Sequence, residues 1–332
     1  MFIVENYALA ILLCVVTMIC WGSWANTTKL TTPSWRFELF YWDYGFGILI
    51  ATLLLAFTLG SSGTEGRAFL ADFQQADTAN LTSAFLGGVI FNIANILLVA
   101  AIAIAGMSVA FPVAIGIALV LGTIVNYIAN PQGDPVLIFG GVALIAIAIV
   151  LNARAYKKLQ TESNVTTKGL VISVISGLLM GLFYKYVAGS MVSNFNVPEA
   201  GKLTPYTALV VFGIGVVVSS FVLNAIQMKK PFVGTSIAFS DYFSGKAKDH
   251  LIGLVGGVVW SIGMSLSILA SGKAGPAVSY GLGQGATVVG AIWGIYIWKE
   301  FAKAPQGTKS LLNGMLILYV EGLVMLVLSK SV

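Results

Sequence analysis

The 332 residues are 58% hydrophobic and only 9% charged, with a mean hydropathy of +0.91 and a formal net charge of +5. A soluble domain carries about 25% charged residues, so this composition excludes one. The positive charge sits in short loops between apolar runs, which is no nucleic-acid signal, and the single histidine, His250, lies at the mouth of a run, leaving no buried histidines for a metal cluster or a Ser-His-Asp triad.

Ten apolar runs follow one another at 6–28, 38–59, 82–104, 107–129, 136–152, 168–190, 204–224, 250–271, 274–298 and 311–329. A helix needs about 20 residues to cross a bilayer, and within lipid every backbone polar group must bond inside its own segment, so each run reads as a transmembrane helix. The first is too long for a signal-peptide core and lacks a basic flank, so no cleavage is expected. Cys14 and Cys20, both within it, point in different directions and read as packing residues. Runs three and four abut, as do eight and nine, and form helical hairpins; longer polar segments occupy 60–81, 153–167 and 225–249.

Thirteen Lys and Arg residues fall on one face of this arrangement, Lys29, Arg36 and Arg154 among them, against four on the other: Arg67, Lys202, Lys273 and Lys330. The positive-inside rule makes the first face cytoplasmic, in an inner (plasma) membrane, with both termini outside.

A shift of 169 residues lays Gly87-Gly88 on Gly256-Gly257, Phe91 on Trp260, Ala105-Gly106 on Ala274-Gly275, Phe111 on Tyr280, Gly116 on Gly285 and Tyr127 on Tyr296. One ungapped offset over about forty residues divides the chain into two five-helix halves, 1–152 and 168–332, joined by a short basic linker, 153–167. An odd number of helices per half gives the copies opposite topology, the framework of alternating access with substrate near the midplane. The expected fold is an all-α integral membrane protein of ten transmembrane helices in a five-plus-five inverted repeat. Channels and receptors gain nothing evident from that duplication.

An ionisable group within a span is a functional-site hypothesis, because its desolvation is costly. Asp43 reads either as a carboxylate that carries a coupling ion or as a helix-mouth acid paired with Arg36 or Lys29. Glu38, at the mouth beside Arg36, suits pairing better. Glu321, ten residues into the last span, reads as a coupling or gating acid, or as part of a peripheral scaffold. Lys185 either snorkels to the outer interface or meets a cavity carboxylate or substrate.

Uncharged groups suit a neutral polar ligand. Asn92 and Asn95 share one face of span three, Tyr280 and Gln284 one face of span nine, and Ser261 is the repeat mate of Asn92. A buried amide without a partner is expensive, so each is bonded to another helix or reserved for ligand; as a set on related helices they are expected to line a cavity. Trp21 and Trp24 share a face of span one, and Trp260 lies mid-span, where packing or stacking on a flat ring both fit. Gly281, Gly283 and Gly285 allow close helix approach and form no phosphate loop, since the Lys-Ser/Thr of such a loop is missing. Pro112 and its mate Gly281 permit matching kinks.

The opening Met1-Phe2-Ile3-Val4-Glu5, Trp21-Gly22-Ser23-Trp24, Tyr41-Trp42-Asp43-Tyr44, Gly87-Gly88-Val89 with Asn92 and Asn95, Gly106-Met107-Ser108-Val109 and Leu203-Thr204-Pro205-Tyr206-Thr207-Ala208 resemble the ureide permease family in order along the chain. That family lies in the drug/metabolite transporter superfamily, beside bacterial glucose/ribose and rhamnose porters. The resemblance implies ten helices and proton-coupled uptake of allantoin, uracil or similar neutral heterocycles. Two departures stand out. Plant members carry a long cytosolic segment with a nucleotide-loop-like motif where this chain has the short 153–167, and Lys185 and Glu321 are foreign to the family pattern.

The expected function is secondary active import of a small neutral polar solute of ureide, nucleobase or nucleoside type, by proton symport, with Asp43, Glu321 and Glu38 as ion-coupling candidates. Trp21, Trp24, Asn92, Asn95, Trp260, Ser261, Tyr280 and Gln284 are the expected binding residues. Monosaccharide uptake is the alternative. Drug or metabolite export is a weaker one, since it calls for a mostly apolar cavity. No enzymatic activity, metal or bound cofactor is expected, only a proton or sodium gradient, with the lipid bilayer as environment and a monomer or homodimer as assembly.

Overall fold

A computed structural model describes residues 1–159 and 166–330, the side chains of Met107 and Ser108 excepted. Residues 160–165 of the expected linker 153–167 therefore lie outside the described residues. The helices are α1 (Tyr7–Ser23), α2 (Phe37–Phe57), α3 (Phe69–Gln75), α4 (Thr78–Ala105), α5 (Met107–Ala129), α6 (Pro135–Lys157), α7 (Thr167–Ser190), α8 (Pro205–Lys229), α9 (Phe239–Phe243), α10 (Ala247–Ala274), α11 (Pro276–Gly283), α12 (Ala286–Ile292) and α13 (Thr308–Leu328). Among the described residues nine helical segments are long and apolar enough to span a membrane. The tenth span is the broken path α11–α12, so the bundle is all-helical with ten crossings.

Where the helices begin follows from local chemistry. Asn6 accepts the Leu9 N–H, Asp134 the Leu137 N–H ahead of Pro135, and Thr166 the Gly169 N–H. Each satisfies one of the donors that the first turn leaves open. The two expected hairpins turn on single residues, Gly106 (φ 78°, ψ 158°) and Gly275 (φ 81°, ψ 151°), each ending one helix and starting the next. These matching positive-φ joints need glycine because a β-carbon would clash there.

Two spans differ from the uniform helices expected. The run 6–28 is α-helical only to Ser23 and continues as a 3₁₀ helix over Trp24–Leu30. There Thr27 and Thr28 return their hydroxyls to the carbonyls of Trp24 and Ala25, three residues back, which favours the tighter winding. The run 274–298 breaks at Gln284-Gly285 and ends in a π-helical turn, Trp293–Ile297, closed by the Trp298 N–H on the Trp293 carbonyl at 2.9 Å. The polar segments 60–81 and 225–249 hold the short helices α3 and α9.

Helix packing repeats when the halves are exchanged. The α4–α7 contact has its mate in α10–α1, α2–α10 in α8–α4, and α5–α7 in α11–α1 together with α12–α1, while α2–α8, α6–α13 and α5–α11 are their own mates. Glycines let the backbones close in: Gly257 lies against the Tyr44 carbonyl and Gly47, and Gly88 against the Phe212 carbonyl, with Gly215 beside it. The small-residue contacts substitute for a hydrophobic driving force that lipid cannot supply.

Candidate functional site: a cavity open at the basic end

A cavity of about 360 Å³ lies between α1, α4, α5, α6, α7, α10 and the α11–α12 path. It opens at the end that carries Lys29, Tyr156, Trp298 and Glu300. At the opposite end it is shut by buried side chains that tie five helices together, α1, α5, α7, α10 and α11. Tyr280 donates to the carbonyls of Ala118 and Met180, Ser279 donates to the Ser267 carbonyl at 2.6 Å, and Tyr184 and Cys14 bond to these serines.

The floor is aromatic. Phe91 stacks on Trp260 with ring centroids 4.1 Å apart, and Trp21 lies near parallel to Trp260 at 5.9 Å, donating its indole N–H to the Trp260 carbonyl. Trp24 packs on Tyr44 at 4.7 Å. Trp260 is 5% exposed, Phe91 1% and Phe183 2%, so these rings are committed to one another, and the half-buried Trp21 and Trp24 supply the flat surface left open beside them.

Four amides line this space, of which Asn26 accepts the Trp298 indole N–H at 2.7 Å. Asn95 holds the Tyr41 hydroxyl at 3.2 Å through its Nδ2. Asn152, 8% exposed, has a buried Oδ1 with no hydrogen-bond partner among the described residues. Gln284, 7% exposed at the break between α11 and α12, makes no side-chain hydrogen bond among the described residues. An unsatisfied buried polar atom costs about 1–3 kcal/mol, a cost that falls on Asn152 Oδ1, while Gln284 lines the cavity with an uncommitted amide.

The only ion pair in the cavity wall among the described residues is Lys29–Glu300, 3.0 Å at the mouth. Glu300 also accepts the Tyr156 hydroxyl at 3.0 Å, and Lys29 lies 4.5 Å over the Trp298 ring. The π turn and the left-handed backbone of Lys299 (φ 52°) aim Glu300 this way. A left-handed non-glycine residue costs of order 1–2 kcal/mol, and such departures gather at functional positions.

Of the eight expected binding residues, Trp21, Trp24, Asn95, Trp260 and Gln284 line the cavity. Asn92, Ser261 and Tyr280 do not, because each is consumed in joining helices. Asn92 accepts the Tyr41 hydroxyl and donates to the Val216 carbonyl and to Ser219 and Ser220; Ser261 donates to the Ile48 carbonyl. Tyr280 belongs to the closed end described above. Asn152 and Glu300 were missed, since the first ends its apolar run and the second lies just beyond one.

Nor do the expected charged residues meet in the cavity. Asp43 is buried at the α2–α10 contact and pairs with neither Arg36 nor Lys29. Its Oδ2 lies 2.9 Å from His250 Nδ1, and its Oδ1 accepts the Tyr242 hydroxyl at 2.6 Å. Arg36 is instead held by Glu38, 6% exposed, in a two-point pair of 2.5 and 3.2 Å. Lys185 and Glu321 are exposed on outward-facing sides of α7 and α13, where no cavity carboxylate or substrate reaches them. His250, read as a span-mouth residue, is thereby the half-buried partner of a buried carboxylate.

A membrane-crossing bundle around a cavity open at one end and sealed at the other is the form of a transporter. The ureide permease family profile matches residues 40–164 and 152–329. Ureide permease 4 of Arabidopsis thaliana is 24% identical over 399 aligned positions that take in 100% of this chain and 99% of the relative, and Ureide permease 1 of the same plant is 24% identical over 392. An L-rhamnose-proton symporter of Salmonella paratyphi A is 29% identical over 169, covering 46% of this chain and 48% of that one. A protein crystal structure superposes with a TM-score of 0.63 over 98% of this chain and 99% of its own at 14% identity, a likeness of fold. The chain belongs to the ureide permease family. It is a multi-pass membrane transporter of small polar solutes, not an enzyme.

Proposed function

We propose that this transporter imports a neutral heterocycle of ureide, nucleobase or nucleoside type into the cytoplasm by proton symport, alternating access between the two faces of the inner (plasma) membrane. The observation that carries this reading is the pairing of half-buried aromatic faces, Trp21 and Trp24, with the cavity-lining amides of Asn152 and Gln284. Stacking suits a planar ring, and amides offer donor and acceptor together to the N–H and C=O edges of ureides and nucleobases. With the basic end cytoplasmic and both termini outside, the cavity is open inward. Of the three acids considered for ion coupling, Asp43 is retained: Glu38 is neutralised by Arg36 and Glu321 points outward.

A monosaccharide is the second reading, favoured by the named activity of the L-rhamnose-proton symporter and by a 26% identical putative sugar uptake protein of Listeria innocua. Uptake of labelled allantoin, uracil and L-rhamnose into proteoliposomes under an inward proton gradient separates the two. Accumulation of allantoin or uracil, abolished by a protonophore, is the expected result. Accumulation of rhamnose alone moves the ligand to sugars, and uptake that ignores the gradient removes symport.

A further inference from the structure

Asp43, His250 and Tyr242 form a cluster outside the cavity wall, at the contact between α2 and α10 near the basic end. Asp43 is 4% exposed, while the His250 side chain is 25% exposed. Trp35 meets the imidazole edge-on at 5.0 Å and Tyr242 at 4.7 Å, and the Nε2 edge lies beside Gly245 in the turn after α9. The carboxylate is thus solvated by two protein donors, one of which is the only histidine in the chain.

The neighbouring charges are engaged elsewhere or turned to solvent. On α10, Asp249 is held by the Thr32 N–H and hydroxyl, and Lys246, which caps the helix, and Lys248 are exposed. On α9, Asp241 accepts the Ala238 N–H. On α2, Glu38 is tied to Arg36; Lys229 and Lys230 at the end of α8 are exposed, and Lys29 is on Glu300. Tyr242 lies outside the spans, where burial first and then the Asp43 carboxylate push its phenol above the ordinary range, so it remains a donor.

The cluster is wired to the cavity through α2. Tyr41, two residues before Asp43, bonds to Asn95 of the cavity wall, and Tyr44, the next residue, packs on Trp24. The α2–α10 seam is lined by Gly47, Gly253 and Gly257, with Gly253 against the Asp43 β-carbon, so the two backbones run close together beside the pair. A ligand that moves Asn95 and Trp24 also moves Asp43 relative to His250.

We infer that the coupling proton is carried on the Asp43–His250 pair and released to the cytoplasm through His250, a role that rests on the symport reading above. When α2 parts from α9 and α10, the carboxylate loses both donors, Tyr242 and His250; an uncompensated buried charge is neutralised by a proton, which bonds to an Asp43 oxygen. When they meet again, that proton passes to Nδ1 of a neutral imidazole, giving an imidazolium beside a carboxylate. Loss of the Nε2 proton to the basic-side solvent leaves the Nδ1–H tautomer, which can donate to the Asp43 Oδ2 that lies 2.9 Å from Nδ1. Water exchange restores the other tautomer while the pair is apart.

His250→Asn supplies an amide near the Nδ1 position but no titrating group, and His250→Gln moves that amide outward. Proteoliposomes are assayed with whichever of allantoin, uracil and L-rhamnose wild type accumulates, both as gradient-driven uptake and as exchange without a gradient. The expected result for His250→Asn is a loss of gradient-driven accumulation of at least tenfold with a flattened pH profile, while exchange stays within twofold of wild type. Wild-type accumulation and pH dependence in His250→Asn overturn the inference. So does parallel loss of exchange and accumulation in both variants when they elute as folded protein, because that marks a structural role. A wild type that accumulates without regard to pH, or accumulates none of the three solutes, instead defeats the symport or transport reading beneath it.

Discussion

Phe91 and Trp260 stack at 4.1 Å with their planes 30° apart, and they hold equivalent positions in the two halves of the chain. The relation between the halves thus passes through the cavity floor, where a residue meets its own copy. Phe212 covers Trp260 further at 5.8 Å. Trp260→Ala is expected to destabilise the protein by about 3–5 kcal/mol, the cost of emptying a packed aromatic site, and Trp260→Phe by less than half of that. Thermal unfolding in detergent measures both.

The bonds from Asn92 to the Val216 carbonyl and from Ser261 to the Ile48 carbonyl are also mates, joining α4 to α8 and α10 to α2. Ser261→Ala removes one such bond and is expected to cost about 1 kcal/mol of stability while leaving ligand affinity unchanged. Asn92→Ala strands several partners and should cost more, about 2–3 kcal/mol. Parallel unfolding and ligand-binding titrations separate stability from affinity.

Asp72 is fully buried between α3 and the start of α8, where it accepts Arg67 at 2.9 Å and both the N–H and the hydroxyl of Thr204. Arg67 also bonds to the carbonyls of Pro198 and Glu199, so one carboxylate ties α3 and its approach to the segment that leads into α8. Asp72→Ala leaves a largely buried guanidinium unpaired and is expected to cost about 3–5 kcal/mol. Asp72→Asn, which keeps an acceptor, should recover part of it. Unfolding midpoints of the two variants give the comparison.

Gly257 sits where α10 crosses α2, with the Tyr44 carbonyl in the space a β-carbon would take. Gly257→Val cannot be relieved by a rotamer change, because backbone blocks it, and is expected to cost at least about 1–3 kcal/mol. Gly116 has nothing within 4 Å of that space, so Gly116→Ala should be tolerated. The yield of monodisperse protein reads out both.

The ten crossings and the two hairpins were legible because apolar length is a property of local sequence, but that the hairpins turn on Gly106 and Gly275 was not read from it. Phe91 and Trp260 were legible as mates, but their contact required knowing how the halves cross. The same gap misplaced Asn92, Ser261 and Tyr280: sequence puts a polar residue on a helix face, and only packing decides whether that face meets a neighbour or a cavity. Asn152 was hidden at the end of an apolar run, one turn before Tyr156. Glu300 owes its position to a π turn and a left-handed Lys299, for which no residue pattern stands. His250 looked peripheral because nothing in 225–249 foretold that α9 folds back to cover Asp43.

Calorimetric titration of purified protein with allantoin, uracil and L-rhamnose, in wild type and in Asn152→Ala, Gln284→Ala and Glu321→Gln, bears most directly on the cavity as the transport site. The expected result is binding of a heterocycle by wild type, weakened about 5- to 100-fold by each amide truncation, corresponding to about 1–3 kcal/mol, and untouched by Glu321→Gln on the outer surface. Affinity that survives both amide truncations, or that falls with Glu321→Gln, would contradict it and put the ligand elsewhere.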